Sequence, residues 1–184
     1  MWEVKTLLAC VSKEKHRLNI TNIAFKDGVW FSTDGHRLFT VNDEALPHLK
    51  GVRLDDVLYH PSAFKEGMLL PENTDIKPIN TKPLFPITKP THQFKITVPT
   101  WFGKIVNYTR AAQGIGIDED GEFTTSKDRS LVFVNPAYLS HFAGMEVHVQ
   151  IHGEKLPLII SDNTHWKYLL MPMRNTNNPR SKRV

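Results

Sequence analysis

Apolar residues recur at helical spacing at the start of the chain. Val4, Leu7, Leu8 and Val11 follow one another at intervals of i, i+3, i+4 and i+7. This spacing places all four side chains on one side of a helix. It therefore predicts an amphipathic helix over residues 3–14, with polar residues and lysines on its other side.

The next apolar runs have the composition of strands. Residues 18–25 and 29–41 are separated by Lys-Asp-Gly, and an Asp-Gly pair between apolar runs is typical of a hairpin. A second helix is predicted over residues 61–66, because Pro61 suits a first helical turn and Gly67 suits a helix end.

A segment rich in Pro, Asn and Thr separates this first set of elements from a second. Residues 71–90 have only brief apolar stretches, which indicates an edge strand followed by an interdomain linker. Beyond it, a helix is expected from Pro99, with Phe102, Ile105, Val106 and Thr109 facing inward. A further helix is expected over residues 136–143, after the Asn135 N-cap. The predicted strands of this part are residues 94–98, 115–117, 131–134, 146–152, 156–161 and 166–171.

Two short stretches of the chain are similar to each other. HPSAFKEGM (residues 60–68) parallels NPAYLSHFAGM (residues 135–145), allowing for two inserted residues. Such a repeat indicates two similar units. The predicted fold class is α+β, with two domains that each pack helices on antiparallel sheets. We place the domains at residues 1–90 and 91–174, followed by a disordered basic tail at residues 175–184.

The charge of the chain is concentrated at its end. The net charge is +4, and it equals the contribution of four cationic residues with no acid among them, Arg174, Arg180, Lys182 and Arg183. The remaining sequence is balanced, which argues against a uniformly basic nucleic-acid binder. The single cysteine, Cys10, excludes an internal disulfide and favours a reducing compartment. No apolar run reaches the length of a membrane span, and the N-terminus lacks the features of a signal peptide.

The polar motif TDGHR carries the most conspicuous candidate chemistry. Asp34 and His36 could form a catalytic pair in a small hydrolase, but no nucleophile elbow, phosphate loop or metalloprotease helix accompanies them. His148 and His152 alternate along a predicted strand, about 13 Å apart, which is too far for one metal ion. These patterns predict neither a metal nor a cofactor, and a small hydrolase that uses Asp34 and His36 stays an alternative with little support.

Three motifs together resemble the bacterial DNA polymerase sliding clamp, the beta-clamp family. TDGHRL (residues 33–38) resembles a strand of the family's middle domain, LFPI (84–87) resembles a Phe-Pro element near the end of that domain, and YLLMPMR (168–174) resembles the family's C-terminal motif. The order of the motifs is that of the family. The family chain has three domains, whereas this sequence has room for the middle and last ones, as in a divergent or phage-encoded clamp.

The resemblance implies two surfaces. The first is an apolar pocket that binds short peptides of the DNA polymerase, the clamp loader and repair proteins. Its residues would be Thr33, Gly35, His36, Arg37, Leu38, Pro86, Leu169, Met171, Pro172 and Met173. The second is a set of cations that face the phosphates of duplex DNA without reading its sequence. Its candidates are Lys5, Lys13, Lys15, Arg17, Lys65, Lys104 and Arg110.

The resemblance also implies a function and an assembly. We expect a cytoplasmic processivity factor rather than an enzyme, in a bacterium or an infected host cell, that encircles duplex DNA and tethers a polymerase to it. Family rings contain six domains, so two domains per chain predict a head-to-tail homotrimer with paired edge strands. The alternative is an adaptor or decoy that binds the same peptides, or the host clamp, without closing a ring.

Overall fold

The computed structural model describes residues 2–14, 16–104 and 114–173. Within these ranges the chain forms three short α-helices, α1 (Trp2–Ala9), α2 (Leu18–Thr21) and α3 (Pro61–Lys65). The strands before residue 91 are β1 (Ile23–Lys26), β2 (Val29–Thr33), β3 (Arg37–Asn42) and β4 (Val57–Tyr59). The later strands are β5 (His92–Thr97), β6 (Ile115–Asp118), β7 (Phe123–Thr124), β8 (Ser130–Val134), β9 (Glu146–Ile151), β10 (Leu158–Ser161) and β11 (Trp166–Leu170). The described 3₁₀ helices are Asp43–Ala45, Lys82–Leu84, Thr100–Lys104, Lys127–Arg129 and Pro136–Phe142.

One antiparallel sheet of eight strands joins the two halves of the chain. Its order is β4-β1-β2-β3-β11-β10-β9-β5, so four strands come from each half. The halves meet where β3 pairs with β11, with Leu38 opposite Leu169 and Arg37 opposite Leu170. A second sheet has three strands in the order β7-β6-β8. The structure thus confirms the α+β class, with helices on antiparallel sheets.

The two faces of the large sheet have different cores. One face, here called the helix face, carries fully buried rings such as Trp30, Phe39 and Tyr168 and is covered by α1 and by the 3₁₀ helix Pro136–Phe142. Trp2 of α1 lies at that contact, with its ring 5.7 Å from the Phe142 ring. The other face, here called the outer face, carries a smaller apolar cluster. We call this cluster the apolar floor; it consists of Ala24, Phe31, Leu38, Leu58, Ile159 and Leu169.

The repeated motif adopts the same local structure twice. The ring of His60 accepts a hydrogen bond from the Ser62 amide at the start of α3, and the side chain of Asn135 accepts one from the Ala137 amide. A proline follows each cap. Each segment is followed by a glycine with positive φ, +79° at residue 67 and +80° at residue 144, a conformation that glycine adopts without steric cost. The similarity of the two sequence stretches therefore corresponds to a repeated local structure, in which a strand is followed by a helix cap and a helical turn.

Several predicted elements differ from the structure. The predicted strand 18–25 begins with helix α2, whose residue Ile20 accepts a hydrogen bond from the Ser12 amide through its carbonyl oxygen. The predicted strand 29–41 is two strands, because the polar turn after Thr33 reverses the chain. The edge strand expected within residues 71–90 is reduced to a bridge between Tyr59 and Pro71. The helix expected over residues 136–143 is a 3₁₀ helix.

Other predictions are confirmed, or lie beyond what the structure describes. The amphipathic helix is confirmed, although it ends at Ala9. The six strands predicted after residue 91 are confirmed, and their first and last residues differ from the prediction by at most two positions. The helix expected from Pro99 is described only as the 3₁₀ helix Thr100–Lys104, and its continuation and the tail after residue 173 lie outside the described residues. Among the described helices, none combines the length and apolar character needed to cross a membrane.

Candidate functional site

The TDGHR motif forms the turn between β2 and β3. The Asp34 carboxylate accepts hydrogen bonds from the amides of His36 (2.9 Å) and Arg37 (3.1 Å) through Oδ1, and from Arg37 Nε (2.9 Å) through Oδ2. Gly35 has a φ of +90°, which favours glycine at this position. The Asp34 contacts are with backbone amides and Arg37, rather than with the His36 ring. The motif therefore shapes a turn, and its geometry gives no support to a catalytic pair.

The C-terminal motif lies beside this turn. The Met171 amide donates to the His36 carbonyl (2.9 Å), which continues the pairing of β11 with β3. The Met173 amide then donates to the Phe133 carbonyl (2.7 Å) on β8. Two motifs more than 130 residues apart in sequence thus meet, and the Met-Pro-Met segment runs from the large sheet to the small one.

The predicted pocket residues divide between the two faces of the large sheet. Leu38 and Leu169 lie in the apolar floor on the outer face, and only 3% and 4% of their surface is exposed. Thr33 is also buried on that face, by the alternation of side chains along β2. Met171 continues this face beyond β11 and is 45% exposed. Gly35 and His36 are exposed at the turn, while Pro86, Pro172 and Met173 are half-buried.

Arg37 lies on the helix face and therefore does not share a surface with Leu38. Its side chain is 12% exposed, and besides Asp34 it contacts the Ala9 carbonyl of α1 and the His141 ring, with Nη1 3.2 Å from Nε2. The guanidinium also lies over the Tyr138 ring, 4.5 Å from its centroid. Arg37 thus connects the turn to α1 and to the 3₁₀ helix Pro136–Phe142.

The surroundings of Arg37 determine the charge of its histidine neighbour. Burial and the positive charge of Arg37 lower the pKa of His141 to about 4. His141 is therefore neutral at pH 7, and its Nε2 accepts a hydrogen bond from the guanidinium. Burial also raises the pKa of Tyr168 well above its ordinary value. Arg37 accordingly holds a positive charge on the helix face of the junction between the halves, paired with Asp34.

The predicted DNA-facing cations that the structure describes are exposed. Lys5 of α1 and Lys65 of α3 line one groove of about 570 Å³ on the helix face. Lys13 and Arg17 lie in the loop between α1 and α2, where Arg17 forms an ion pair with Glu14 at 3.3 Å. Lys104 ends the 3₁₀ helix Thr100–Lys104. Lys15 and Arg110 lie outside the described residues.

Four residues near these surfaces were not predicted. Lys50 and His48 line the groove beside Lys5 and Lys65, and neither ring nitrogen of His48 has a hydrogen-bond partner among the described residues. Ile79 and Phe85 pack against the apolar floor. Phe85 stands inside the LFPI motif, so the sequence did point to this neighbourhood, whereas isolated residues such as Lys50 carry no pattern.

Comparison with solved structures identifies the fold. The DNA polymerase III beta subunit from Thermotoga maritima is similar, with a TM-score of 0.64 and 13% identity, over 94% of this chain and 62% of that one. The DNA polymerase sliding clamp from Bacillus subtilis has a TM-score of 0.61 and 14% identity, over 94% and 62% of the respective chains. The Helicobacter pylori beta clamp, in a structure described as bound to DNA ligase peptide, has a TM-score of 0.61 and 12% identity, over 94% and 63%.

These likenesses show that the chain has the fold of the bacterial sliding clamp. The chain spans less than two thirds of the length of each of these clamps. No family model and no curated protein matches the sequence. The resemblance carried by the three short motifs is therefore confirmed at the level of fold.

Proposed function

We propose that this chain is a sliding-clamp-like processivity factor that holds replication proteins on duplex DNA. One observation carries the proposal: a single sheet spans both halves, with exposed lysines on its helix face and the TDGHRL and LLMPM motifs joined at its centre. A protein that surrounds DNA needs cations on one side and docking sites for partners on the other. The shared fold with bacterial sliding clamps supports this division of roles.

The peptide-binding surface of the proposal is the outer face around the β3–β11 junction. Its apolar contacts come from Leu38, Leu169 and Met171, and its polar edge comes from His36 at the exposed turn. An apolar site with a few polar groups suits short linear peptides with hydrophobic anchors. The structure of the Helicobacter pylori clamp with a DNA ligase peptide supports peptide binding as the mode of recognition.

Peptide binding can be tested with a labelled peptide that contains the family's pattern, Gln followed by Leu and Phe. We expect micromolar affinity, about −8 kcal/mol. Met171→Ala should weaken binding by about 1–3 kcal/mol through lost apolar contact. Met68→Ala is a matched control, since Met68 is exposed to a similar extent but lines the groove on the helix face. Equal affinity of wild type and Met171→Ala would place the site elsewhere.

The DNA-facing surface of the proposal is the helix face with Lys5, Lys65 and Lys104. Binding to linear duplex should be weak, independent of sequence and strongly reduced by salt. Lys5→Glu with Lys104→Glu should lower DNA-dependent stimulation of a polymerase while leaving peptide binding intact. Lys89→Glu with Lys155→Glu changes the net charge equally at exposed positions away from α1 and α3, and should leave stimulation unchanged. Equal stimulation by both double variants would exclude this face as the DNA contact.

The proposed assembly is a ring of three chains. The edge strand β4 limits how such a ring can form, because residues 70–72 already pair with it. The His60 amide donates to the Leu70 carbonyl, and the Glu72 amide donates to the Leu58 carbonyl. Pro71, in the middle of this stretch, has no amide hydrogen to donate. Contact at this edge therefore depends on exposed side chains such as Leu70, which is 56% exposed, rather than on strand pairing.

Light scattering over a range of concentrations, with and without duplex DNA, tests the assembly. A trimer has three times the chain mass of 21.1 kDa. A mass that stays at 21.1 kDa at the highest concentration and with DNA present would reject the ring. Peptide binding by such a monomer would then favour the adaptor over the processivity factor.

A further inference from the structure

A segment of the linker covers the apolar floor. Residues 79–86, here called the strap, cross the outer face of the large sheet between the two halves of the chain. Ile79 and Phe85 of the strap pack against the floor, which contains Leu38 and Leu169. The Lys167 ammonium lies 5.8 Å from the centre of the Phe85 ring, on the side of β11. The strap therefore occupies the centre of the outer face, where the proposed peptide contacts lie.

The strap is held mainly by these two apolar side chains. Its own backbone hydrogen bonds are local, from the Leu84 amide to Thr81 (3.0 Å) and from the Phe85 amide to Lys82 (3.4 Å). Within the described ranges, no backbone hydrogen bond joins residues 79–86 to a strand of the large sheet. The ion pair of the strap, between Lys82 and Asp27 at 3.3 Å, is largely exposed and therefore contributes little to holding the strap in place. A segment with so few attachments can open without unfolding the sheet.

Open space lies directly beside Phe85. A groove of about 560 Å³ runs along the outer face from the strap towards the β10–β11 turn, and its walls include Phe31, Thr40, Phe85 and Lys167. Phe85 therefore separates an already open groove from the buried floor residues Leu38 and Leu169. If the ring moves into the groove, the floor becomes accessible while β3 and β11 stay paired.

We propose that the strap is an internal competitor, in which Phe85 occupies the place on the apolar floor that the hydrophobic anchor of a partner peptide takes. This inference rests on the proposed peptide-binding function and adds a regulatory step to it. A partner must displace Phe85 before its anchor contacts Leu38 and Leu169. Peptides with a bulky apolar anchor are selected, because only they replace the contacts that Phe85 gives up.

Whether the strap covers the apolar floor can be tested without any partner. Phe85→Ser should expose the floor, so the fluorescence of an apolar dye and the amide hydrogen exchange of residues 79–87 should rise several-fold. Leu84→Ser is the matched control, because the adjacent Leu84 is 44% exposed and is not part of the floor cluster. Equal dye binding and exchange in wild type and Phe85→Ser would overturn the proposal.

The competition can be tested with the labelled peptide described above. Asp27→Cys with Lys82→Cys, bridged by a bis-maleimide, holds the strap closed, and we expect at least tenfold weaker peptide binding than in the unbridged protein. Phe85→Ser should bind the peptide about fivefold more tightly than wild type. Lys95→Cys with Glu146→Cys, bridged in the same way at the β5–β9 ion pair, is the control and should bind like wild type. The native thiol, Cys10, is buried and does not compete for the reagent.

These measurements distinguish failure of the proposed competition from failure of the proposed peptide binding. Unchanged binding by the closed form would overturn the competition while leaving the proposed peptide function intact. Absence of binding in every form, including Phe85→Ser, would reject the peptide function and with it the competitor role. The dye and exchange measurements would in that case still show whether the strap covers the floor.

Discussion

The contact between Arg37 and His141 makes the stability of the junction depend on pH. The guanidinium donates to Nε2 of His141 across 3.2 Å, and His141 belongs to the second half of the chain while Arg37 belongs to the first. Protonation of His141 would replace this hydrogen bond by the repulsion of two positive charges. His141→Gln keeps an acceptor oxygen for Arg37 but cannot take up a proton, so it isolates the effect.

The magnitude follows from the two pKa values. In the unfolded chain His141 titrates near its ordinary 6.5, whereas burial and Arg37 lower the pKa to about 4 in the folded protein. Between these values the unfolded state binds a proton that the folded state does not, so the free energy of unfolding falls as the pH falls. The slope is at most about 1.4 kcal/mol per pH unit, and the total loss is on the order of 3 kcal/mol. The contribution is fully present above about pH 7.

Urea unfolding followed by tryptophan fluorescence, at several values between pH 7.5 and 4.5, measures this effect. The free energy of unfolding of wild type, minus that of His141→Gln, should decrease by about 1–3 kcal/mol across this range. Contributions of other groups, such as Asp162, are common to both proteins and cancel. His16→Gln, at an exposed histidine away from Arg37, is the control and should not reproduce the change. A difference that stays constant with pH would refute the reasoning.

Two further predictions concern the backbone and the thiol. Gly35→Ala should lower the free energy of unfolding by about 1–2 kcal/mol, because φ is +90°, although the added methyl group meets nothing within 4 Å. Gly121→Ala should lower it further, because φ is +82° and the methyl group would also lie 2.7 Å from the Phe94 ring. Urea unfolding of both variants checks this order, and a smaller loss for Gly121→Ala would contradict it. Cys10 should react with a disulfide reagent far more slowly in the native than in the denatured protein, even at pH 9, because it is fully buried and burial raises its pKa to about 12. Fast native reaction would show that the helix face opens readily around α1.

Elements with a local cause could be predicted from the sequence. The alternation from Phe94 to Val98 predicted strand β5, whose side chains alternate between half-buried and exposed. The start of α3 was predicted from Pro61, and the start of the 3₁₀ helix Pro136–Phe142 from the Asn135 cap and its proline, because these signals act within three residues. Helix α2 was missed, since Ile20 and Thr21 favour a strand, whereas in the structure their amides donate to the Arg17 carbonyl and the Ile20 carbonyl accepts from the Ser12 amide.

The sequence predicted which two motifs lie together, but not the geometry around them. The motifs at residues 33–38 and 168–174 were expected to lie together, and the β3–β11 pairing brings them together. The LFPI motif pointed to this neighbourhood through Pro86, but nothing in the local sequence places the Phe85 ring on the floor or His141 on Arg37. Those contacts depend on how the linker and the second half return to the first half of the sheet.

The opposite orientations of Arg37 and Leu38 explain how one pair of strands can serve two purposes. Successive side chains of a strand point to opposite faces, so β3 contributes Leu38 to the floor under the strap and Arg37 to the contacts with α1 and His141. The strap and its groove lie on the outer face, whereas the junction contacts and the lysines of α1 and α3 lie on the helix face. Displacement of Phe85 breaks no hydrogen bond of the β3–β11 pair and leaves Arg37 in place. In the proposed function, exchange of partners on the outer face therefore leaves the joint between the two halves and the DNA-facing surface intact.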